Sequence, residues 1–250
     1  VVLFSTCFVN YNNPDLGKDV LFVLEKNNVS VHLPDQNCCG MPGLNNGDLD
    51  WAIEKMKKNV ERLYPFASRG YSILAINPTC SLTLKTEMTT FLPPGEWREK
   101  AEVVAKKVMD VNEYLFELKK KDKFNRDFKS RPQSVAYHAP CHLRAQNIGY
   151  RSRDMMRTIP ETEISVVDEC CGHDGTWAMK KEFFTLSLET GKRAFEGLNE
   201  AKANFMTTDC PLAALQIEQG TGGDRPLHPV QILAKAYRLP EEGGFQNKVS

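Results

Sequence analysis

The chain has 250 residues, of which 41% are hydrophobic and 26% charged, a composition typical of globular proteins. The 32 Lys and Arg residues balance 32 Asp and Glu residues, so the formal net charge is zero and no nucleic-acid partner is expected. No apolar run reaches the roughly 18 residues of a membrane-spanning helix. Since a basic leader and a secretory signal are also missing, the sequence predicts a cytoplasmic protein.

The first half of the chain alternates short apolar runs with segments of helical periodicity. The predicted elements are, in order, strand 1–5, helix 16–26, strand 29–33, helix 49–63 and strand 72–76. Cysteines follow the three predicted strands: Cys7 the first, the adjacent Cys38 and Cys39 the second, and Cys80 the third. These cysteines are therefore expected at the carboxyl ends of their strands.

The second half repeats this order. Its predicted elements are strand 134–137, helix 151–158, strand 163–167, helix 178–198 and strand 204–207. Cys141 follows the first strand, the adjacent Cys170 and Cys171 follow the second, and Cys210 follows the third. A long helix over 98–120 and a charged, solvated linker are predicted to join the halves.

The spacing of the eight cysteines indicates an internal duplication. Cysteines in corresponding places of the two sets are 130 to 134 residues apart. The sequence therefore predicts two domains, residues 1–125 and 126–250. Each is expected to be a Rossmann-like β-α-β-α-β unit with a parallel sheet, giving an α/β fold.

The cysteines and their neighbours predict a metal centre in each half. Ligands of parallel sheets bind beyond the carboxyl ends of the strands, so three loops can bring four thiols together. Gly40 and Gly172 are expected either to adopt a positive φ in the turn beside the cysteine pair or to let the backbone come close to a bulky centre. His142 and His173 are expected beside the ligands, where they would donate hydrogen bonds to sulfur, complete the metal shell, or carry protons with electrons.

The residues leave the identity of the centre open. Four thiolates suit a [4Fe–4S] cluster and equally suit a tetrahedral zinc ion. Three functions follow from these options: electron transfer through up to two iron–sulfur clusters, a zinc-stabilised binding or scaffold module, and thiol–disulfide chemistry at a vicinal cysteine pair.

Several motifs resemble those of a known family. They are "NCCGMP", "NPTCSLTLK", "YHAPCH", "CCGHDGTW", "DCPLAALQI" and "LHPVQILAKAY". They are similar to the cysteine-rich CCG domains of the B subunit of heterodisulfide reductase. They are also similar to the C-terminal half of the C subunit of anaerobic glycerol-3-phosphate dehydrogenase and to related iron–sulfur oxidoreductases. The resemblance covers nearly the whole chain.

The resemblance implies a cofactor, partners and a location. In the family the cysteines hold iron–sulfur clusters, in some members a non-cubane cluster with five cysteine ligands. Members pass electrons between a partner dehydrogenase and a quinone, or to a disulfide. By resemblance this chain is expected to serve a partner dehydrogenase or redox subunit in a quinone-linked system, peripheral to the inner membrane through its partners. Its start at Val1 rather than Met is expected of a fragment or a short member.

The chain departs from the family pattern at one position in each half. The family motif C-x-x-C would place a cysteine at Thr83 and at Ala213. With four cysteines in each set, the sequence favours a cubane cluster, a smaller cluster, or a lone zinc or iron ion in one half over the five-cysteine cluster.

Overall fold

The structure, a computed structural model, describes residues 1–246 and contains two three-stranded parallel sheets. The first sheet has the order β1-β2-β3 and the second the order β5-β4-β6. The strands are β1 Val2–Phe4, β2 Ile73–Ala75, β3 Val108–Asp110, β4 Ser134–His138, β5 Glu163–Val167 and β6 Phe205–Thr208. The predicted parallel α/β fold is confirmed.

Helices connect the strands and cover the sheets. They are α1 Cys7–Tyr11, α2 Pro14–Lys26, α3 Met41–Asn46, α4 Leu49–Ala67, α5 Pro78–Leu82, α6 Met88–Phe91, α7 Glu96–Ala105, α8 Val111–Lys120, α9 Cys141–Arg144, α10 Arg151–Met156, α11 Lys181–Glu200, α12 Pro211–Thr221 and α13 Pro229–Ala236. A π-helical turn, Thr83–Glu87, joins α5 to α6. Over residues 1–246, no helix combines the length and apolar character needed to cross a bilayer.

The two sheets share one underlying order, which confirms the duplication. His32 pairs with Val2 through an isolated parallel bridge, on the side of β1 away from β2. Leu227 pairs with Thr207 in the same way, at the outer side of β6. Each half therefore has four strand positions in the same spatial order. In the first half the outer position beside β1 is only a bridge, and in the second half the outer position beside β6 is only a bridge.

The predicted strand 29–33 is wrong, since the structure forms that single bridge at His32 and no ladder. Pro34 has no N–H to continue a ladder. The side chain of Gln36 bonds to β1 instead: its Oε1 accepts from the Ser5 N–H at 2.8 Å, and its Nε2 donates to the Leu3 carbonyl at 2.6 Å. A side-chain amide thus takes the bonds that the next strand residue would make.

The predicted continuous helix over 98–120 is also wrong. The structure ends α7 at Ala105 and inserts β3 before α8 begins. Asp110 caps α8 in a capping box with Glu113, so its side chain accepts from the helix while Glu113 bonds the Asp110 N–H. This box starts a new helix in the middle of the predicted one, and Val108 is free to pair with β2.

The two halves interlock through their last helices. Helix α8 of the first half packs on α10 of the second, and α13 of the second packs on α2 of the first. The largest hydrophobic cluster accordingly draws buried residues from both halves, including Leu74, Tyr137 and Val230. The boundary at residues 125 and 126 stays a prediction. The interlocking holds the carboxyl ends of the two sheets against a common space.

Candidate metal centre

All eight cysteines line one cavity of about 420 Å³ between the two halves. His142 and His173 line it too, whereas Gly40 and Gly172 lie behind its wall. All eight are free thiols: Cys39, Cys80, Cys171 and Cys210 are buried, Cys38 is half-buried, and Cys7, Cys141 and Cys170 are exposed. Among the side chains of residues 1–246, no three His, Cys, Asp or Glu enclose a single ion. The thiols surround a volume rather than a point.

Strand ends and helix starts place the cysteines at this cavity. Cys7 begins α1 after β1, Cys141 begins α9 after β4, and Cys80 lies in the first turn of α5 after β2. Cys210 is the N-cap of α12, where burial raises the pKa of its thiol and the N–H groups of Ala213 and Leu212 offset part of that rise. The unpaired N–H groups of a helix start favour a thiolate.

The glycine of each CCG triplet turns the chain and lets a helix approach. Gly40 has φ 103° and Gly172 has φ 76°, so both predicted positive φ angles are confirmed. A Cβ on Gly172 would overlap the Ser187 carbonyl oxygen of α11. A Cβ on Gly40 would lie 3.1 Å from the Ala52 carbonyl oxygen of α4. Each pair of cysteines is thereby pressed against the helix that follows it.

Thiols of the first set contact one another in series. The neighbouring thiols are Cys7 and Cys38, Cys38 and Cys39, and Cys39 and Cys80. Interaction with Cys39 and Cys7 lowers the pKa of Cys38, while interaction with Cys38 raises the pKa of Cys7 and that of Cys39. The interaction with its neighbours therefore favours ionisation of Cys38 over that of Cys7 and Cys39.

Burial dominates the second set. Removal from water raises the pKa of Cys171 to about 12 and that of Cys210 to about 11, and it raises the pKa of Cys141. The Gly172 N–H lies 3.4 Å from the Cys170 sulfur, in a geometry that favours negative charge there. A metal that binds these thiols must displace their protons.

The histidines near the cavity are neutral and differ in their contacts. Burial lowers the pKa of His142 and that of His173. His142 Nδ1 lies 2.8 Å from the Thr79 hydroxyl of the other half. His173 Nε2 is buried and has no hydrogen-bond partner in the described part of the chain. Both ring nitrogens of His138 are hydrogen-bonded, Nδ1 to the Thr208 hydroxyl and Nε2 to the Glu169 carbonyl. His138 therefore supports the loop before Cys170.

Sequence reasoning missed two residues that hold the site. Asn59 is fully buried on α4, and its side chain bonds the backbone of Asn37 and Cys38. The sequence feature that could have identified Asn59 is a polar amide on the apolar face of α4, which also carries Met56 and Leu63. Thr79 reaches across to His142, and no feature of the sequence pointed to that contact.

The residues present fit an iron–sulfur group. Eight free thiols from two duplicated sets are the soft ligands that iron–sulfur clusters take. The unpartnered Nε2 of His173 adds a polar atom beside the second set. The cavity of about 420 Å³ is larger than a single ion.

Comparisons with known proteins agree with the duplication. Residues 1–85 and 135–218 each match the cysteine-rich CCG domain. The chain is 33% identical over 244 residues to the C subunit of the anaerobic glycerol-3-phosphate dehydrogenase of Escherichia coli (strain K12), covering 94% of this chain and 59% of the relative.

Two further relatives also match most of the chain. The chain is 29% identical over 247 residues to the B subunit of the fumarate reductase (CoM/CoB) of Methanothermobacter marburgensis, covering 94% of this chain and 46% of the relative. It is 29% identical over 222 residues to an iron–sulfur protein of Methanococcus maripaludis, covering 87% of this chain and 40% of the relative. The chain spans about half the length of these relatives.

Proposed function

This chain belongs to the cysteine-rich CCG domain family, and on that premise we propose that it is an electron-transfer subunit of an oxidoreductase. Cys7, Cys38, Cys39 and Cys80 would ligate one iron–sulfur cluster, and Cys141, Cys170, Cys171 and Cys210 a second. With four cysteines in each set, a [4Fe–4S] cluster is the form we propose for both.

One observation carries this proposal: all eight cysteines, drawn from both halves, line a single cavity. Electron transfer needs redox centres held close together and shielded from water, and the shared cavity with its four buried cysteines supports such an arrangement. Two of the relatives are by name subunits of a dehydrogenase and of a reductase, and the third is an iron–sulfur protein.

The chain's own residues have distinct parts in this function. The eight cysteines would ligate the clusters as thiolates. The buried Cys39, Cys80, Cys171 and Cys210 also keep water from the inner side of the cavity. The N–H groups of Leu212 and Ala213 and the N–H of Gly172 point at sulfur and stabilise its negative charge. A bound iron–sulfur cluster supplies one-electron storage. Gly40 and Gly172 keep the ligand loops against α4 and α11.

The open side of the cavity suits a redox partner. Cys7, Cys141 and Cys170 are exposed there. Tyr11, 83% exposed, and Met179, 57% exposed, also line the cavity and offer apolar contacts to an incoming surface. We propose a partner dehydrogenase or redox subunit at this side, within a quinone-linked system. A cytoplasmic location, with attachment to the inner membrane through partners, belongs to the same proposal.

A second candidate function rests on Cys38. Its lowered pKa and its contact with the thiol of Cys7 are what a nucleophilic thiolate needs for thiol–disulfide exchange. In this alternative the first cysteine set would act as a redox-active dithiol. The second set would hold a zinc ion or remain without metal.

The test is reduction of anaerobically purified protein with dithionite, followed by visible absorption and EPR. An electron-transfer subunit should be coloured, should bleach on reduction and should give a fast-relaxing EPR signal. Colourless protein that contains zinc would favour a scaffold. Metal-free protein whose free-thiol count rises with reductant would favour the dithiol alternative.

A further inference from the structure

Two segments beside cysteines of the first set contact segments beside cysteines of the second. Helix α5, which carries Cys80, contacts α9, which begins at Cys141. Helix α3, which follows the first CCG triplet, is hydrogen-bonded to the loop that follows the second triplet. The segments that would hold ligands in the two halves are therefore joined to one another at the shared cavity.

The side chain of Gln146 joins α5 to α9. Its Nε2 donates to the Ser81 hydroxyl at 2.8 Å and to the Pro78 carbonyl at 3.2 Å, so it bonds on both sides of Cys80. The same nitrogen lies 3.1 Å from the carbonyl oxygen of His142, in the first turn of α9. One amide of the second half thus links the last cysteine segment of the first set to the first cysteine segment of the second.

A second contact between α5 and α9 reinforces this link. The Thr79 hydroxyl lies 2.8 Å from His142 Nδ1. Thr79 directly precedes Cys80 in the chain, and His142 directly follows Cys141. A displacement of the backbone at one of these cysteines therefore acts on the other through their sequence neighbours.

A reciprocal pair of hydrogen bonds joins the two CCG segments. Asn46, the last residue of α3, donates from Nδ2 to the Thr176 hydroxyl at 3.2 Å, and that hydroxyl donates to Asn46 Oδ1 at 3.4 Å. Asn46 Nδ2 also donates to the Pro42 carbonyl at 2.7 Å, which fixes the amide on α3. The packing is equally close, since a Cβ on Gly175 would overlap the side chain of Asn45.

These contacts couple the ordering of the two cysteine sets. A group that binds one set must order the backbone segments that carry its cysteines, and that ordering costs conformational entropy. Because two of those segments are bonded to segments of the other set, part of the entropy cost of filling the other set has then already been met. The set that is filled second should therefore bind its cluster more tightly.

We propose that Gln146 and Thr176 are positioning residues that couple the two cysteine sets, so that the two clusters bind cooperatively. The inference rests on the proposed function, because it requires a cluster at each set. Coupling between sites changes affinity by roughly 5- to 150-fold. At half loading, a factor of about ten leaves about a quarter of the chains with one cluster, whereas independent sites of equal affinity leave about half. Unequal affinities raise that half further, so a smaller fraction requires coupling.

The experiment loads metal-free protein without oxygen, using iron and sulfide sufficient for half of its capacity, and counts clusters per chain by native mass spectrometry. It compares the wild type with Gln146→Leu, Thr176→Val, the double variant and the control Gln219→Leu. Gln219 is exposed on α12. In the wild type and the control, about a quarter of the chains should hold one cluster. That fraction should rise towards about half in the double variant and lie between the two in each single variant.

The outcomes separate this proposal from the proposed function. Wild-type protein that takes up no iron would overturn both. Wild-type protein that takes up iron but has one cluster in half or more of its chains would overturn the coupling alone. A folded double variant with the distribution of the wild type would overturn the roles of Gln146 and Thr176. If Gln146→Leu does not fold, as judged by circular dichroism, Thr176→Val decides alone, because it leaves the contact between α5 and α9 intact; an unchanged distribution there would also overturn the proposal.

Discussion

The side chain of Asn59 holds the backbone of Cys38. Its Nδ2 donates to the Cys38 carbonyl at 2.9 Å, and its Oδ1 accepts from the neighbouring Asn37 N–H at 2.9 Å. Asn59 is fully buried on α4, so both bonds are made without competition from water. The loop that carries two cysteines of the first set is thus fixed by one amide.

Replacement of this amide should release the loop. Asn59→Leu leaves buried backbone groups of Asn37 and Cys38 without partners, which is expected to lower the free energy of unfolding by about 3 kcal/mol. Roughly half of the bound iron should also be lost. Denaturant unfolding and iron analysis measure both effects. The control is Asn199→Leu at an exposed position of α11, and equal effects of the two variants would contradict the account.

The second prediction separates steric overlap from backbone strain at a CCG glycine. Gly172 and Gly47 have nearly the same φ, 76° and 78°. A Cβ on Gly172 would overlap Ser187, whereas a Cβ on Gly47 meets nothing within 4 Å. Gly47→Ala should cost about 1 kcal/mol from strain. Gly172→Ala should lower the free energy of unfolding several times more and deplete the second centre of iron. Thermal unfolding measures the stability of both variants. Similar losses of stability in the two would contradict a close approach of α11 to Gly172.

The pH dependence of stability should report on His138. Burial lowers the pKa of its imidazole to about 4, from an ordinary value near 6.5. Between these values the unfolded chain binds a proton that the folded protein does not. The free energy of unfolding should therefore fall by about 3 kcal/mol as the pH drops from about 6.5 to about 4.

His138→Gln should remove this part of the pH dependence in the metal-free protein. The measurement is denaturant unfolding at several pH values, with His32→Gln at an exposed position as the matched control. The slope of stability against pH should be shallower in His138→Gln than in His32→Gln. Identical slopes would mean that His138 is not held neutral by burial.

The fourth prediction concerns the buried carboxyl of Asp110. Burial, and then the charge of Asp209, raise the pKa of Asp110 well above its usual range. Above the ordinary carboxyl pKa of about 3.9, this shift therefore lowers the stability of the folded protein. Below that pH the carboxyl is protonated in both the folded and the unfolded state, and the loss of stability disappears. Asp110→Asn, which keeps the helix cap, should raise the free energy of unfolding at pH 7, by an amount that shrinks towards zero near pH 4.

The control for Asp110 is Asp48→Asn. Asp48 also caps a helix, α4, but it is exposed. Because Asn and Asp cap equally well, Asp48→Asn should change stability by only a few tenths of a kcal/mol. A loss of stability in Asp110→Asn at pH 7 would show that the carboxylate is ionised and needed.

The sequence predicted those parts of the molecule that local patterns encode. The run of β5 contains three β-branched apolar residues, Ile164, Val166 and Val167, and the extent predicted for it, 163–167, is the one observed. The cysteine spacing predicted the duplication because β-α units of similar length separate the strand ends. The positive φ of Gly40 and Gly172 follows from the need to turn beside two adjacent side chains.

The parts that were not predicted depend on contacts between distant residues. Gln36 replaces a strand by a side-chain amide, and β3 forms because β2 lies beside it. Neither is visible in a local pattern. The meeting of both cysteine sets at one cavity depends on α8 and α13, which each pack on the opposite half. The cysteine spacing predicted one centre in each half but not that both sets face the same cavity.

Iron, acid-labile sulfide and zinc per chain, measured on wild-type protein purified without oxygen, test the central claim most directly. Two cysteine-ligated clusters at the shared cavity predict roughly eight iron and eight sulfide per chain. About four iron with one zinc would mean that one half alone conducts electrons. Zinc alone, or no metal at all after anaerobic preparation, would contradict the electron-transfer function proposed for these eight cysteines.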